Sequence, residues 1–237
     1  MGLPYVQAEG AIRHTGRFTV RRSPLLELRP HYSYTAYLDP GDFKESGFLH
    51  IDNHTEWKSG YELHTGVNFV TKGLREPFEI FEDVILPPGS YHNSEIQLVG
   101  KTDDSKWLSL VMRVTAGGFY SGDRVMLNPT VQMRLGEKFT SELGWSQNDV
   151  DLPEGEFTTR VGLLRMAWSF TPSVTLEALF QYNNRDDALA TNLRFSWLRK
   201  ANTGLYLVFN DIQGYDAYPG AQPDRSLIAK YTYLFDL

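Results

Sequence analysis

Cysteine is missing from all 237 residues, which removes disulfide frameworks and thiolate metal sites and suits a chain that passes through an oxidising compartment. A basic excess is missing too: 29 Asp and Glu outnumber 23 Lys and Arg, for a net charge of −6. With no cationic stripe, no nucleic-acid partner is expected. No run approaches the roughly 18 consecutive apolar residues of a membrane-spanning helix, and apolar residues at helical spacing are scarce. The opening MGLPYVQAEG has neither a basic region nor an apolar core of the kind found in signal peptides. The expectation is therefore a removed leader or a chain that is a fragment.

What is present is alternation. The last segment, RSLIAKYTYLFDL, puts Ala229, Tyr231, Tyr233, Phe235 and Leu237 on one side of a strand and Lys230, Thr232 and Asp236 on the other, because strand side chains alternate with period two. The same pattern recurs upstream. Strands are expected over 12–21, 25–39, 48–57, 61–71, 91–101, 107–116, 124–135 and 138–148. Four more centre on Leu164 to Phe170, Val174 to Asn183, Leu189 to Trp197 and Leu205 to Asn210, bounded by Gly, Pro, Asn and Asp.

A mean hydropathy of −0.36 ordinarily describes a soluble chain, but in a transmembrane β-barrel only every second residue meets lipid, so the average stays low. Two features favour the barrel over a sandwich. Trp145, Trp168, Trp197, Tyr182, Tyr231, Tyr233 and Phe235 lie on apolar faces near strand ends, as in the aromatic girdles of outer-membrane barrels. Connections also alternate: tight at 58–60, 102–106, 136–138, 171–173 and 199–204, mostly longer at 40–47, 72–90, 117–123, 149–156, 185–188 and 211–224. The expected fold is all-β: one antiparallel transmembrane barrel domain over 1–237 with about 12–14 visible strands, in a bacterial outer membrane, with lipid and lipopolysaccharide as surroundings. Even strand numbers with both termini on the short-turn rim then require a strand upstream, so the chain is expected to be the C-terminal part of a larger barrel.

Chemistry-bearing residues are few. Arg113, Arg134, Arg165, Arg194, Glu142 and Glu177 fall on polar faces and are expected to line a lumen. His50, Asp52, His54 and Glu56 share one face of a strand. Folding about Ser59 sets His54 opposite His64, and folding near Phe43 brings His31 close to His54. These three imidazoles, with Asp52 and Glu62 nearby, are a geometry in which Zn²⁺ could bind, although the favoured reading treats them as ordinary polar lumen residues. The carboxylates Asp149, Asp151, Glu154 and Glu156 lack the calcium-loop pattern of an EF-hand and read as a solvated outer loop. Ser33, Ser94 and Ser109 have no G-x-S-x-G around them, and Asn53-His54-Thr55 matches the glycosylation pattern by coincidence. No catalytic residue, cofactor or resident metal is assigned. The stretch 71–90, with Pro77, Pro87 and Pro88, reads as an outer loop folding over or into a mouth.

The ordered segments LREPFEIFEDVILPPGSYH, GGFYSGDR, NDVDLPEGEFTTR, LEALFQYNN, NLRFSWLRKANTGLYLVFND and SLIAKYTYLFDL give a resemblance across roughly 13–237. The chain resembles the C-terminal barrel domain of bacterial outer-membrane proteins that carry a carbohydrate-binding family 9 domain. The function of that domain is not established, so the resemblance implies the fold alone; the polar interior leads to the expectation of a pore, transport scaffold or membrane anchor. Polysaccharide binding would reside in an N-terminal domain outside this chain, and an outer-membrane hydrolase is the alternative. The last strand also resembles the signal read by the barrel-assembly machinery, with Leu237 where that signal favours Phe.

Overall fold

The computed structural model describes residues 12–19, 24–38, 43–200, 203–214 and 224–234. Among them there is no helix, and sixteen strands carry the chain. β1 (Ile12–Thr15), β2 (Phe18–Thr19), β3 (Leu25–Leu38), β4 (Lys44–Trp57), β5 (Glu62–Leu74), β6 (Phe78–Phe81), β7 (Val84–Leu86) and β8 (Gly89–Lys101) come first. β9 (Leu108–Phe119), β10 (Gly122–Leu135), β11 (Phe139–Leu152), β12 (Gly155–Thr171), β13 (Val174–Asn183), β14 (Ala188–Lys200), β15 (Thr203–Gln213) and β16 (Asp224–Thr232) follow. Fourteen of them form one sheet in the order β1-β3-β4-β5-β8-β9-β10-β11-β12-β13-β14-β15-β16, with β2 also on β3; β6 and β7 pair separately. Neighbours are mostly joined by short connections, which is why they pair antiparallel. The expected all-β antiparallel fold is therefore observed. Phe235, Asp236 and Leu237, and with them the end of the assembly signal, lie outside the described residues.

Three expectations about loops are corrected. The segments 117–123 and 149–156 are not long loops: β9 runs to Phe119 and β10 starts at Gly122, while β11 runs to Leu152 and β12 starts at Gly155. Each connection is a two-residue turn. The acidic stretch misled because Asp149 and Asp151 alternate with Val150 and Leu152, whose side chains are buried; the strand continues with its carboxylates on the opposite face. Gly117 serves the first of these ends. It has φ +148, and a Cβ there would stand 2.3 Å from the Ser94 carbonyl oxygen.

The third correction is the stretch 71–90, which is ordered as the end of β5, the β6–β7 hairpin and the start of β8. The hairpin turns at Asp83, φ +61, whose N–H donates to Glu79 Oε1 at 3.3 Å. Its Val84 and Leu86 pack with Val150 and Leu152 into a cluster joined by Leu74, Ile80, Phe119, Tyr120 and Phe157. Phe81 stacks on Phe157 with ring centres 4.7 Å apart. Three prolines and broken alternation hid this hairpin because its apolar residues answer to a partner surface instead of to a pleat of their own.

The chain divides into two units, described separately. The first comprises Met1–Asp103, Val111–Leu127 and Asn148–Thr158. Here the register of β3, β4, β5, β8 and β9 sorts residues onto two faces. One face presents Tyr32, Tyr34, Ile51, Leu63, Val67, Phe69, Ile96, Leu98 and Met112, all exposed. The other carries Asp52, Asn68, Glu95 and Thr115, all buried. The second unit comprises Asp104–Leu110, Asn128–Gln147 and Thr159–Leu237. Its ladders put Trp168, Leu176, Trp197 and Tyr231 on one exposed face and Glu177 opposite Arg194 on the other. A water-soluble domain sorts its residues the other way, apolar in and polar out.

Candidate functional site

In the first unit the polar face concentrates its chemistry at one place. His54 lies opposite His64 across β4 and β5, as the tight turn at Ser59 requires, and the rings stack with centres 3.6 Å apart. His31 lies opposite Asp52 across β3 and β4, with its ring centre 4.9 Å from that of His54. The three sequence-selected histidines therefore come together, and His50 joins them. Asp52, with a side chain only 3% exposed, is the hub: His31 Nδ1 is 2.8 Å from Oδ1, and His50 Nε2 and His54 Nε2 are 3.2 and 3.0 Å from Oδ2. Beside it, Glu62 Oε2 accepts from His64 Nε2 at 2.8 Å and Lys101 Nζ at 3.1 Å. Arg29 ties Glu27 at 3.0 Å to Glu56 at 3.3 Å.

Two residues essential to this arrangement escaped sequence reasoning. Asn68 is opposite His50, and Gly66 is opposite Asp52. The 3% exposed Asn68 meets His50 Nδ1 through Oδ1 at 2.6 Å. At Gly66 a Cβ would stand 2.9 Å from the Asp52 Cβ and 3.4 Å from His50 Cε1, so the absence of a side chain makes room for both. The signal was available: once the turn at Ser59 fixes His54 against His64, counting outward by twos reaches both residues.

Elsewhere on this face, buried Glu95 pairs with Arg124, whose guanidinium lies over the Phe119 ring at 4.3 Å. In the turn after β9, burial raises the Tyr120 phenol above its usual range, with Arg124 acting in the opposite direction. Of the residues expected on polar faces, Arg113 stands opposite Val99. Asp149 accepts from Thr158 Oγ1 at 2.9 Å, and Glu154 from Ser121 Oγ at 2.5 Å; Asp149, Asp151 and Glu156 line one open cleft with Asp123. Ser33 lies opposite His50 and Ser94 opposite Phe69.

In the second unit a cleft of about 160 Å³ is lined by Lys106, Ser109, Gln132, Arg134, Glu142 and Arg165, among others. Glu142 accepts from Gln132 Nε2 at 3.0 Å and faces Arg165 at 3.8 Å. Arg194 and Glu177 stand 3.7 Å apart, each about half exposed. Exposed pairs of this kind contribute about 0–1 kcal/mol each.

No family model matches the chain, and neither a curated protein nor a solved structure is similar to it.

Proposed function

We propose that the chain is a bacterial outer-membrane β-barrel whose polar face lines a water-filled interior, acting as a pore or transport scaffold, or as a membrane anchor. The observation that carries this reading is the inverted sorting of the strands. In the first unit Ile96 and Ile51 are 60% and 48% exposed, while Asp52, Asn68, Glu95 and Thr115 on the opposite face are nearly inaccessible; in the second, Leu227, Tyr231 and Trp168 are 48–73% exposed. Water penalises the first arrangement and hydrocarbon favours it.

The exposed face also has a boundary. Along β11 it runs Leu143, Trp145, then Gln147, Asp149 and Asp151; along β12 it runs Phe170, Trp168, Met166, Leu164, Gly162, then Arg160. Trp145 stacks on Tyr182 with centres 6.4 Å apart at the change, and Phe139 meets Trp168 edge-on at 5.7 Å at the other end. From Gly162 to Phe170 a strand advances roughly 27 Å at about 3.4 Å per residue, close to the ~25 Å apolar band of outer-membrane barrels. Aromatic residues at both limits match the girdles of such a band. Lipid and lipopolysaccharide are the partners this face suits. The resemblance to barrel domains accompanying carbohydrate-binding family 9 modules agrees with an anchoring role.

Reconstitution of the full chain into planar bilayers tests the pore. Discrete conductance whose ion selectivity shifts on Glu142→Lys is the expected result. Inserted but silent protein removes the pore and leaves the anchor. Material that stays monodisperse without detergent removes both.

A further inference from the structure

We propose that His31, His50 and Asp52 form a binding site for a divalent transition-metal ion of the zinc class. Two imidazoles and a carboxylate are a borderline nitrogen and oxygen donor set, suited to Zn²⁺, Cu²⁺ or Ni²⁺. One ligand atom from each of the three residues lies within 4.8 Å of the other two. The separations from Asp52, 2.8 Å to His31 Nδ1 and 3.2 Å to His50 Nε2, lie just inside the about 3.3 Å between donors that tetrahedral bonds of about 2.0–2.1 Å require, and the site closes on an ion through rotation of these side chains.

Three independent features point to a cation at this spot. Asp52 Oδ1 is buried and receives no hydrogen bond, although His31 Nδ1 stands only 2.8 Å away; the approach is close, but it lacks the direction of a hydrogen bond. A buried carboxylate oxygen without a directed donor is costly, and an ion bound beside the two atoms and to both supplies the missing partner. The second feature is orientation. His50 Nδ1 meets Asn68 Oδ1 at 2.6 Å, which holds the ring with Nε2 turned to Asp52 Oδ2 at 3.2 Å. Fixing a liganding imidazole through its other nitrogen is the usual outer-shell device of zinc sites. The third is Gly66, whose missing Cβ gives Asp52 and His50 their space. His54 and His64 form a second grouping about the same Asp52, in which the Nε2 of His64 is engaged by Glu62.

The test loads the full chain, folded in detergent, with ZnCl₂, removes excess by desalting, and measures bound zinc by elemental analysis and its shell by X-ray absorption. One ion per chain with a nitrogen and oxygen shell at about 2.0–2.1 Å and imidazole scattering is expected. His50→Ala abolishes retention. Asn68→Ala, which keeps every ligand, weakens affinity about 10- to 100-fold. His92→Ala, on the opposite face, leaves it unchanged. No zinc on the wild-type chain, a shell without imidazole, or folded His50→Ala protein with undiminished zinc each overturns the proposal. The wild-type measurement decides even where a variant fails to fold. None of these readouts uses conductance, so failure here and failure of the pore reading are distinguishable.

Discussion

Ile96→Arg separates lipid from water as the solvent of the exposed face. Ile96 sits in the middle of β8, 60% exposed, opposite Val67 on β5 and Ala116 on β9. In water, a substitution at so open a position changes stability by no more than about 0.5 kcal/mol, because Arg loses no hydration and little packing is removed. In a bilayer the same guanidinium costs about 2–4 kcal/mol near the midplane, a roughly 30- to 700-fold change in the unfolding equilibrium. The neighbouring Gln97 supplies the control. It points to the other face, between Gly66 and Thr115, where a long polar side chain is already accommodated. Guanidinium unfolding of the vesicle-inserted full chain, followed by tryptophan fluorescence, measures both. The expected outcome is a large loss for Ile96→Arg and less than about 1 kcal/mol for Gln97→Arg. A change within about 0.5 kcal/mol for Ile96→Arg refutes the assignment of this face to lipid.

Leu86→Ala empties the centre of the hairpin cluster, where Leu86 is 0% exposed, and costs about 2–5 kcal/mol. The loss is local, so limited proteolysis within 75–88 accelerates while the sheet melts as before; an unchanged cleavage rate contradicts the packing. Gly117→Ala forces a side chain into φ +148 and against the Ser94 carbonyl, a destabilisation of about 1–3 kcal/mol in denaturant unfolding. Gly100→Ala, with nothing within 4 Å of its Cβ, stays within about 0.5 kcal/mol, and equal effects at the two positions would contradict the close approach.

The strands were legible because alternation is a property of each segment alone: Leu189 to Trp197 reads as a half-apolar ribbon before any partner is known. The pairing of His54 with His64 was legible for a related reason, since a tight turn at Ser59 leaves one register that keeps Leu63 and Ile51 off the polar face. Asp52 as the hub was only half visible. Its neighbours Gly66 and Asn68 have no chemistry that a linear reading selects, and they matter only through what lies across the ladder. The misread loops failed for the opposite reason. Pro153, Glu154 and Gly155 are turn-forming residues, and their signal spread over the flanking carboxylates although the turn itself needs two residues. The hairpin of β6 and β7 was illegible because Leu86 is buried by Val150 and Leu152, more than sixty positions further along the chain.

The strands β11 and β12 continue as hydrogen-bonded ladder past Trp145 and Gly162 to a two-residue bend, with the hairpin cluster seated against their ends. Whatever meets this bend therefore encounters a firm relief instead of a fringe of loose peptide. An antibody raised against it would recognise a conformational epitope and lose its target on a denaturing blot.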